Sequence, residues 1–309
     1  IFDMMNEGQE SDEGSVTLCN VAVDGNGEMK ECAGFTQDFA WKVPAGVTVF
    51  TDADNSGQAY RLVPLKGDVR FNQVVFGYTP EKTILNGISL YAKPGQKIAF
   101  VGSTGAGKTT IINLVNRFYE INSGSITYDG IDIRELDIHA LRRAVGQVQQ
   151  DVFLFTGDIQ SNIRLRESSI TDGQIRSAAK FVNADGFIAQ LEQGYETAVT
   201  ERGSTLSAGQ RQLLSFARTL AFDPAILVMD EATANIDTET EMLIQDAMER
   251  LMQGRTTIVV AHRLSTIQHA DKIMVMHKGR LREEGTHQEL LAQNGIYKKL
   301  YDLQLRTQA

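Results

Sequence analysis

The sequence has few cysteines, no long apolar run and no excess of basic residues. Cys19 and Cys32 are too few for a disulfide framework; they could pair or bind a metal, but further ligands at suitable spacing are lacking, which favours a structural role. No apolar run approaches the ~18–20 residues that span a bilayer, so we expect no membrane-spanning helix. A net charge of −9 argues against nucleic acid as the main partner. The acidic start at Ile1 lacks both the basic region of a signal peptide and a methionine, and we expect a piece of a longer protein.

The composition is that of a globular protein with an uneven distribution of charge. The chain has 309 residues, of which 42% are apolar and 22% charged, enough for a hydrophobic core in one large domain or two modest ones. Residues 1–66 hold 11 acidic against 4 basic residues, whereas residues 67–309 hold 28 against 26. This shift predicts a domain boundary near Lys66–Gly67, with residues 1–66 as a linker and acidic insertion.

The acidic segment is predicted to contain a small β-rich module with two hairpins. Val16–Val23 runs into the turn sequence Asp24–Gly27, and Val47–Phe50 and Ala59–Val63 flank a second turn, Asp52–Gly57. The second turn resembles the start of an EF-hand calcium loop. The twelfth position of that loop would be valine where a bidentate Glu is needed, so an ordinary turn rich in Asp and Gly is the favoured interpretation.

A phosphate-binding loop is the first motif that carries chemistry. Gly102–Thr109 has the pattern G-x-x-x-x-G-K-T and lies between the apolar run Lys97–Val101 and the predicted helix Thr110–Arg117. Glycines let backbone N–H groups converge on phosphate oxygens, and the helix N-terminus adds positive potential. Lys108 is expected to reach the β- and γ-phosphates and the Thr109 hydroxyl to ligate magnesium. The predicted phosphate-binding residues are Gly102, Ser103, Thr104, Gly105, Ala106, Gly107, Lys108, Thr109 and Thr110.

A second motif places two carboxylates at the end of an apolar run. Ala225–Met229 fits a strand inside a parallel sheet, and Asp230 and Glu231 follow it directly. Ligands of open α/β sheets bind at the carboxyl ends of the strands. We expect Asp230 to hold magnesium, directly or through water, and Glu231 to polarise the attacking water. An ordinary acidic pair on the surface is the alternative, which the phosphate loop makes less favourable.

A third segment carries a family resemblance. Leu206–Gln210 reads Leu-Ser-Ala-Gly-Gln, and here the sequence resembles the nucleotide-binding domains of ATP-binding cassette (ABC) exporters, whose signature is Leu-Ser-Gly-Gly-Gln. Ala208 departs from it. The resemblance covers residues 68–309; residues 8–66 look like an insertion, and residues 1–7 resemble the helical linker after an exporter's last membrane helix. The other matches are Tyr78 (adenine-stacking aromatic), Gln150 (Q-loop), Thr200–Gly203 (X-loop), Ala234–Asp237 (D-loop) and His262 (switch histidine).

The resemblance implies an α/β fold, with a P-loop (RecA-like) ABC ATPase core, a helical subdomain at about residues 153–220 and the small N-terminal β-rich insertion. It implies ATP and Mg²⁺ as ligands and the powering of multidrug-type efflux as the function. Implied catalytic residues are Glu231, His262, Lys108 and Gln150. Beyond the phosphate loop, implied nucleotide contacts are Tyr78, Gln150, Ser207, Gly209, Gln210 and Asp237. Implied magnesium ligands are Thr109, Gln150 and Asp230.

The resemblance also implies partners. Ser207 and Gly209 are expected to face the γ-phosphate held by a second nucleotide-binding domain in a head-to-tail dimer. Ala208 departs from the signature while Glu231 and His262 are intact, which favours a heterodimer; a homodimer stays open because Gly to Ala is a mild change. The transmembrane domain of the same exporter would be the other partner, at the cytoplasmic face of the cell membrane. A soluble or regulatory ABC cassette is the alternative function.

The coarse secondary structure follows from the apolar runs. A helix is expected after the phosphate loop, another after the D-loop, and a single amphipathic helix over Gln288–Leu303. The predicted strands are Phe71–Phe76, Ile88–Ala92, Lys97–Val101, Val145–Val148, Ala225–Met229, Thr256–Val260 and Lys272–Met276.

Overall fold

A computed structural model describes residues 12–33, 36, 38–50, 59–149, 151–200, 203–230, 238–261 and 264–308. Its strands are β1 (Thr17–Val23), β2 (Met29–Glu31), β3 (Phe39–Pro44), β4 (Tyr60–Pro64), β5 (Val69–Phe76), β6 (Leu85–Ala92), β7 (Lys97–Val101), β8 (Ser123–Tyr128), β9 (Ile131–Asp132), β10 (Val145–Val148), β11 (Gly157–Asp158), β12 (Ala198–Val199), β13 (Ile226–Asp230), β14 (Thr256–Val260), β15 (Lys272–His277) and β16 (Arg280–Gly285). Its α-helices are α1 (Lys108–Val115), α2 (Ile138–Ala144), α3 (Ile159–Arg164), α4 (Asp172–Phe181), α5 (Asp185–Ile188), α6 (Ala208–Ala221), α7 (Thr238–Met252), α8 (Leu264–Gln268), α9 (His287–Gln293) and α10 (Ile296–Gln308).

The centre of the molecule is a six-stranded sheet in the order β10-β13-β14-β7-β15-β16. Its neighbouring strands run parallel except for β15 and β16, which pair antiparallel. Each predicted strand overlaps an observed one, and β7, β10 and β14 have the predicted bounds, whereas β5 begins two residues and β6 three residues before the predicted start. Parallel strands are covered on both faces by other elements, which is why their sequences are nearly continuous apolar runs.

Side-chain alternation along the central strands divides the hydrophobic core in two. Ile98 and Phe100 of β7 belong to one cluster of buried residues, whereas Ala99 and Val101 belong to the other. The first cluster includes the apolar residues of α1 and of the antiparallel sheet β6-β5-β8-β9. The second cluster includes the apolar residues of α4 and α6. The central sheet is therefore the layer between an antiparallel β side and a helical side.

The helical side occupies the stretch for which helices are predicted, residues 153–220. Helices α3, α4 and α6 begin with capping boxes, in which Asp158, Thr171 and Ser207 accept a hydrogen bond from the backbone N–H three residues later. Such caps satisfy N–H groups that a helix leaves without an intrahelical partner. Within the described ranges, no helix is long and apolar enough to span a bilayer.

The N-terminal segment forms a four-stranded antiparallel sheet in the order β2-β1-β3-β4. The hairpin of β1 and β2 turns at Asp24–Gly27 as predicted, with Asp24 accepting hydrogen bonds from the N–H groups of Asn26 and Glu28. In the second hairpin the prediction was wrong, because β4 pairs with Phe39–Pro44 and not with Val47–Phe50. The predicted EF-hand-like turn, Asp52–Gly57, lies outside the described residues, as does the predicted linker at residues 1–7.

The N-terminal sheet packs on the rest of the chain around one buried ion. Trp41 is fully buried, and its indole N–H donates to a carboxylate oxygen of Asp129 at 2.9 Å. The backbone N–H groups of Lys66 and Asp68 donate to the same carboxylate at 3.2 and 2.9 Å. Burial raises the pKa of Asp129, and these donors oppose the rise. Because Val43 and Trp41 share a hydrophobic cluster with β5 and β8, this sheet shares a core with the main domain; the predicted boundary near Lys66 stays a prediction.

The C-terminal region also differs from the prediction of one helix over Gln288–Leu303. Two helices, α9 and α10, are separated at Asn294, whose φ of 53° is left-handed. Glu283 then accepts hydrogen bonds from the first two N–H groups of α10, at Ile296 (2.6 Å) and Tyr297 (2.9 Å). The apolar periodicity runs through both helices and hides the break, whose local signal is the dipeptide Asn294-Gly295.

We expect Trp41→Phe to destabilise the chain by about 2 kcal/mol, because it removes a hydrogen bond to a buried carboxylate and part of a buried ring. Urea unfolding followed by far-UV circular dichroism measures this. Tyr60→Phe is the control: its ring lies on the exposed side of the same N-terminal sheet, and the expected change is within about 0.5 kcal/mol. Equal midpoints for wild type and Trp41→Phe would show that the indole bond does not stabilise the docked sheet.

Candidate active site

The phosphate loop begins where β7, a central strand, ends. Gly102 has a φ of 149°, and a Cβ atom there would lie 2.2 Å from the carbonyl oxygen of Met276 in β15. Gly105 has a φ of 77°, and a Cβ atom there would meet nothing within 4 Å. Glycine is therefore needed at the first position by close packing and at the second by backbone conformation alone. The open space at Gly105 is where a phosphate group would have access to the backbone.

Lys108 is the first residue of α1, and its side chain lies along the loop. Its ammonium group donates to the carbonyl oxygens of Gly102 at 2.8 Å and Ser103 at 3.2 Å. Burial lowers the pKa of Lys108, and the negative charge of Asp230 opposes that change. The loop thus holds a buried cation that interacts electrostatically with the carboxylate at the end of β13.

The strand register brings the carboxyl ends of β7, β10, β13 and β14 to the same edge of the central sheet. Asp230 pairs with Val260 in β14, and Val260 pairs with Phe100 in β7. Val148, the last residue of β10, pairs with Met229. These strands therefore end on the side of the sheet where the phosphate loop begins. The predicted residues Gln150, Glu231, Asp237 and His262 lie outside the described residues, so their positions and roles stay predictions.

The two threonines after Lys108 differ in exposure. Thr109 is exposed at the start of α1, where a hydroxyl could ligate a cation. Thr110 is buried, and its hydroxyl accepts a hydrogen bond from Tyr78 at 3.2 Å. In the described part of the chain, no group of three or more His, Cys, Asp or Glu residues is arranged to hold a metal. A magnesium site here would resemble those that use one or two protein ligands together with substrate phosphates, which the donor set of Thr109 and Asp230 fits.

Tyr78 lies beside α1, as an aromatic residue that contacts a nucleotide base would have to. Its ring is 46% exposed and makes edge contacts with Phe76 at 5.0 Å and Tyr119 at 4.9 Å between centroids. Asn113 of α1 donates to its hydroxyl at 3.1 Å. The sequence predicts Tyr78 but not Tyr119 or Asn113. The available signal was weak: an aromatic just after the predicted helix, and a polar residue one turn beyond Thr110.

The signature segment Leu206–Gln210 begins helix α6. Ser207 is the N-cap; its hydroxyl accepts from the Gln210 N–H at 3.1 Å, and the Gln210 side chain accepts from the Ser207 N–H at 2.9 Å. Ser207 is exposed, so the start of this helix is accessible to an anion on another molecule. The Gln210 side chain is engaged within its own chain.

Close packing inside the chain accounts for glycine at position 209. A Cβ atom on it would lie 2.1 Å from Cγ2 of Thr240 in α7 and 3.5 Å from Ile244. Gly209 is buried, whereas Ala208 is half-buried. The methyl group that departs from the family signature therefore occupies the position with room for it, and α6 approaches α7 closely at the next residue.

Arg218 of α6 connects this helix to the segment after Gln150. Its guanidinium donates to the carbonyl oxygens of Asn162 at 2.9 Å and Phe153 at 3.1 Å. Burial lowers the pKa of Arg218. The half-buried guanidinium of Arg218 thus connects the signature helix to the segment that starts at residue 151.

Gly209→Ala should destabilise the chain by roughly 1–3 kcal/mol, because overpacking against Thr240 outweighs the higher helix propensity of alanine. Thr240→Ser removes the methyl group in question and keeps the hydroxyl, so it should restore much of the loss in the double variant. Ala208→Gly is the control and should cost no more than about 1 kcal/mol. Thermal unfolding checks all four variants; a Gly209→Ala protein as stable as wild type would rule out the close contact.

The chain is similar to known proteins in both sequence and structure. Residues 85–234 match the family model described as ABC transporter. A Bacillus subtilis protein named "Probable multidrug resistance ABC transporter ATP-binding/permease protein YheH" is 48% identical over 238 residues, 77% of this chain and 35% of that protein. The ATP-dependent lipid A-core flippase of Saccharophagus degradans is 48% identical over 250 residues, 81% of this chain and 42% of that protein.

Among solved structures, that of a bacterial Atm1-family ABC exporter with ATP bound matches with a TM-score of 0.73 and 40% identity, over 85% of this chain and 44% of its own. The fold predicted from the motifs, an ABC ATPase core of mixed α/β type, is confirmed. The chain spans about two fifths of the length of the curated relatives that it matches. Because the matched residues run from the phosphate loop through the signature segment to Asp230, the chain belongs to the ABC transporter family, whose ATP-binding domains are ATPases.

Proposed function

We propose that this chain is the ATP-hydrolysing motor of an ABC exporter. The observation that carries the proposal is the shared edge of the central sheet. There the buried Lys108 and the open loop at Gly105, which follow β7, lie near the carboxylate of Asp230 at the end of β13, and β14 is the parallel neighbour of both strands. A cation, a set of backbone donors and an acidic residue are what binding of a nucleoside triphosphate with a divalent cation requires.

Each group has a chemical task in this proposal. Backbone N–H groups of the loop and the ammonium group of Lys108 would bind the phosphates, giving up the carbonyl contacts that Lys108 now makes. Thr109, Gln150 and Asp230 would hold Mg²⁺, which when bound neutralises developing negative charge on the phosphates. Glu231 would orient and polarise the attacking water. His262 would contact the γ-phosphate and so register its loss.

The second half of each site would come from another domain. Ser207, the N-cap of α6, is exposed, so an anion on another molecule could reach it. A head-to-tail pair would bring Ser207 and the start of α6 to the γ-phosphate of the other molecule, with Asp237 nearby. We further propose a partner that differs from this chain, because Ala208 departs from the signature while Glu231 and His262 are retained. A homodimer is the competing arrangement.

The surface near residue 150 supports a membrane-domain partner. Phe153 and Phe155 are 46% and 55% exposed and contact each other edge to face at 5.0 Å. Exposed aromatic pairs are typical of protein–protein contacts. A transmembrane domain of the same exporter would pack here, with this chain at the cytoplasmic face of the cell membrane. The multidrug and lipid-flippase names of relatives support hydrophobic compounds as cargo. A soluble or regulatory cassette is the alternative, and an ATPase assay separates the regulatory form from the motor.

Glu231→Gln should lower ATP turnover by about 10²–10⁴-fold, because it removes the group that polarises water, while ATP affinity stays close to that of wild type. Steady-state phosphate release and equilibrium binding measure the two quantities. Asp246→Asn, on the far part of α7 and half exposed, is the control and should leave turnover unchanged. Turnover near the wild-type rate in Glu231→Gln would remove Glu231 from its proposed role.

Light scattering of Glu231→Gln with Mg-ATP tests the pairing. We expect a monomer that binds ATP, because the proposed arrangement needs a different partner for its competent site. Addition of Mg-ATP would then leave the solution mass unchanged. A nucleotide-dependent dimer would instead favour the homodimer, and it would show that the Leu206–Gln210 segment can close on the site of its own kind.

A further inference from the structure

Three aromatic residues form a cluster on the surface beside the phosphate-binding helix. We call Phe76, Tyr78 and Tyr119 the ring cluster: their centroids lie 4.9–5.8 Å apart, and Tyr78 is nearly perpendicular to both neighbours. Phe76 is buried, whereas Tyr78 and Tyr119 are each 46% exposed. Tyr78 is thus supported by rings on the protein side and keeps much of its surface accessible.

The hydroxyl of Tyr78 is fixed as well as its ring. It donates to the Thr110 hydroxyl at 3.2 Å and accepts from the Asn113 amide at 3.1 Å. Thr110 and Asn113 are three residues apart on α1 and so lie on the same face of that helix. A phenol hydroxyl can donate one hydrogen bond and can also accept. Here the Thr110 hydroxyl accepts that hydrogen bond, and the Asn113 amide donates another to the phenol oxygen. These hydrogen bonds set the orientation of the whole side chain.

The helix that holds the hydroxyl is also the helix that carries the phosphate-binding residues. Lys108 and Thr109 form its first turn, immediately before Thr110. The distance from the phosphate loop to the Tyr78 ring is therefore set by a rigid element and two hydrogen bonds. A ring prepared in this way loses little rotamer freedom when a flat ligand stacks on it, and preorganisation of this kind increases affinity.

We propose that Asn113 and Tyr119 are positioning residues for the base of a nucleoside triphosphate. Asn113 holds the Tyr78 hydroxyl, Tyr119 supports the Tyr78 ring, and together they keep the stacking surface at a fixed separation from the phosphate loop. The proposal rests on the proposed function, since it assumes that a nucleotide binds at Lys108. Neither residue needs to touch the nucleotide, because each acts through Tyr78.

A merely structural role for these contacts predicts something different. Packing that only stabilises α1 would disturb phosphate and base binding alike. Positioning of Tyr78 would affect only a ligand that has a base. Two probes separate these readings: the non-hydrolysable β,γ-imido analogue of ATP, titrated by calorimetry, and inorganic triphosphate, measured by its competition with that analogue.

In the full chain, Tyr78→Ala should weaken binding of the analogue by roughly 5- to 150-fold, the range expected for loss of one stacking contact. Asn113→Ala and Tyr119→Leu should each weaken it by roughly 2- to 10-fold, and none of the three should change the affinity for triphosphate. Asn113→Ala should add nothing in the Tyr78→Ala background. Tyr119→Phe, which keeps the ring, should restore wild-type affinity, and Phe118→Leu, at an exposed ring outside the cluster, is the control.

Three results would overturn the proposal. One is wild-type affinity for the analogue in Asn113→Ala and Tyr119→Leu. Another is an equal loss of affinity for triphosphate, which would assign these residues a structural role; Asn113→Leu, of similar volume, repeats the test should Asn113→Ala be unstable. The last is full additivity with Tyr78→Ala. A wild-type chain that binds neither probe would refute the proposed function itself, which is distinguishable because no variant is then involved.

Discussion

The parallel hydrogen-bonding register between β13, β14 and β7 is the constraint on which the site depends. It pairs Asp230 with Val260 and Val260 with Phe100, so the chain leaves these strands at one edge. A slip of one residue would exchange the two faces of a strand, moving Phe100 into the helical core and Val101 into the other. The cost of that exchange protects the site, because two differently shaped cores must both remain filled.

The two hydrophobic cores hold different parts of the candidate site in position. The first contains α1, the antiparallel sheet and the N-terminal sheet, and so fixes everything that would hold the phosphates and the base. The second contains α4, α6 and α7 and so fixes the signature segment. The central sheet separates them, and Arg218 fastens the signature helix to the segment beyond residue 150. Each side therefore packs on its own face of the central sheet.

Much of the fold could be predicted from local sequence. Buried parallel strands have nearly continuous apolar sequences, and the phosphate loop follows a strict motif. The sequence alone identifies the strand Lys97–Val101 and the loop Gly102–Thr109, without reference to the residues that pack against them. The second N-terminal hairpin could not be assigned from the sequence. Its first strand is Phe39–Pro44, which Trp41 holds in place through a hydrogen bond to Asp129, 88 positions away in sequence. The break at Asn294 has a local signal, the dipeptide Asn294-Gly295, which apolar periodicity alone does not register.

The candidate site likewise combines residues that a local sequence pattern predicts with residues that only the folded chain reveals. Lys108 and Asp230 were predicted from local pattern, and the structure brings their charges into interaction. Gly209 was predicted to face a phosphate on another molecule, and the structure gives a further reason for glycine inside the chain, the close approach of Thr240. Asn113 and Tyr119 were missed because their types and spacing give only a weak signal, and their contacts with Tyr78 form only in the folded chain.

The absence of a side chain at Gly209 has a mechanical consequence. With α6 pressed against Thr240, these two helices have no slack between them at their starts, one at the signature segment and the other directly after residue 237. A rotation that carried the start of α6 would have to carry the start of α7 with it. In a head-to-tail pair both starts would lie near the γ-phosphate of the other molecule, so each chain would contribute them to that site as one rigid unit.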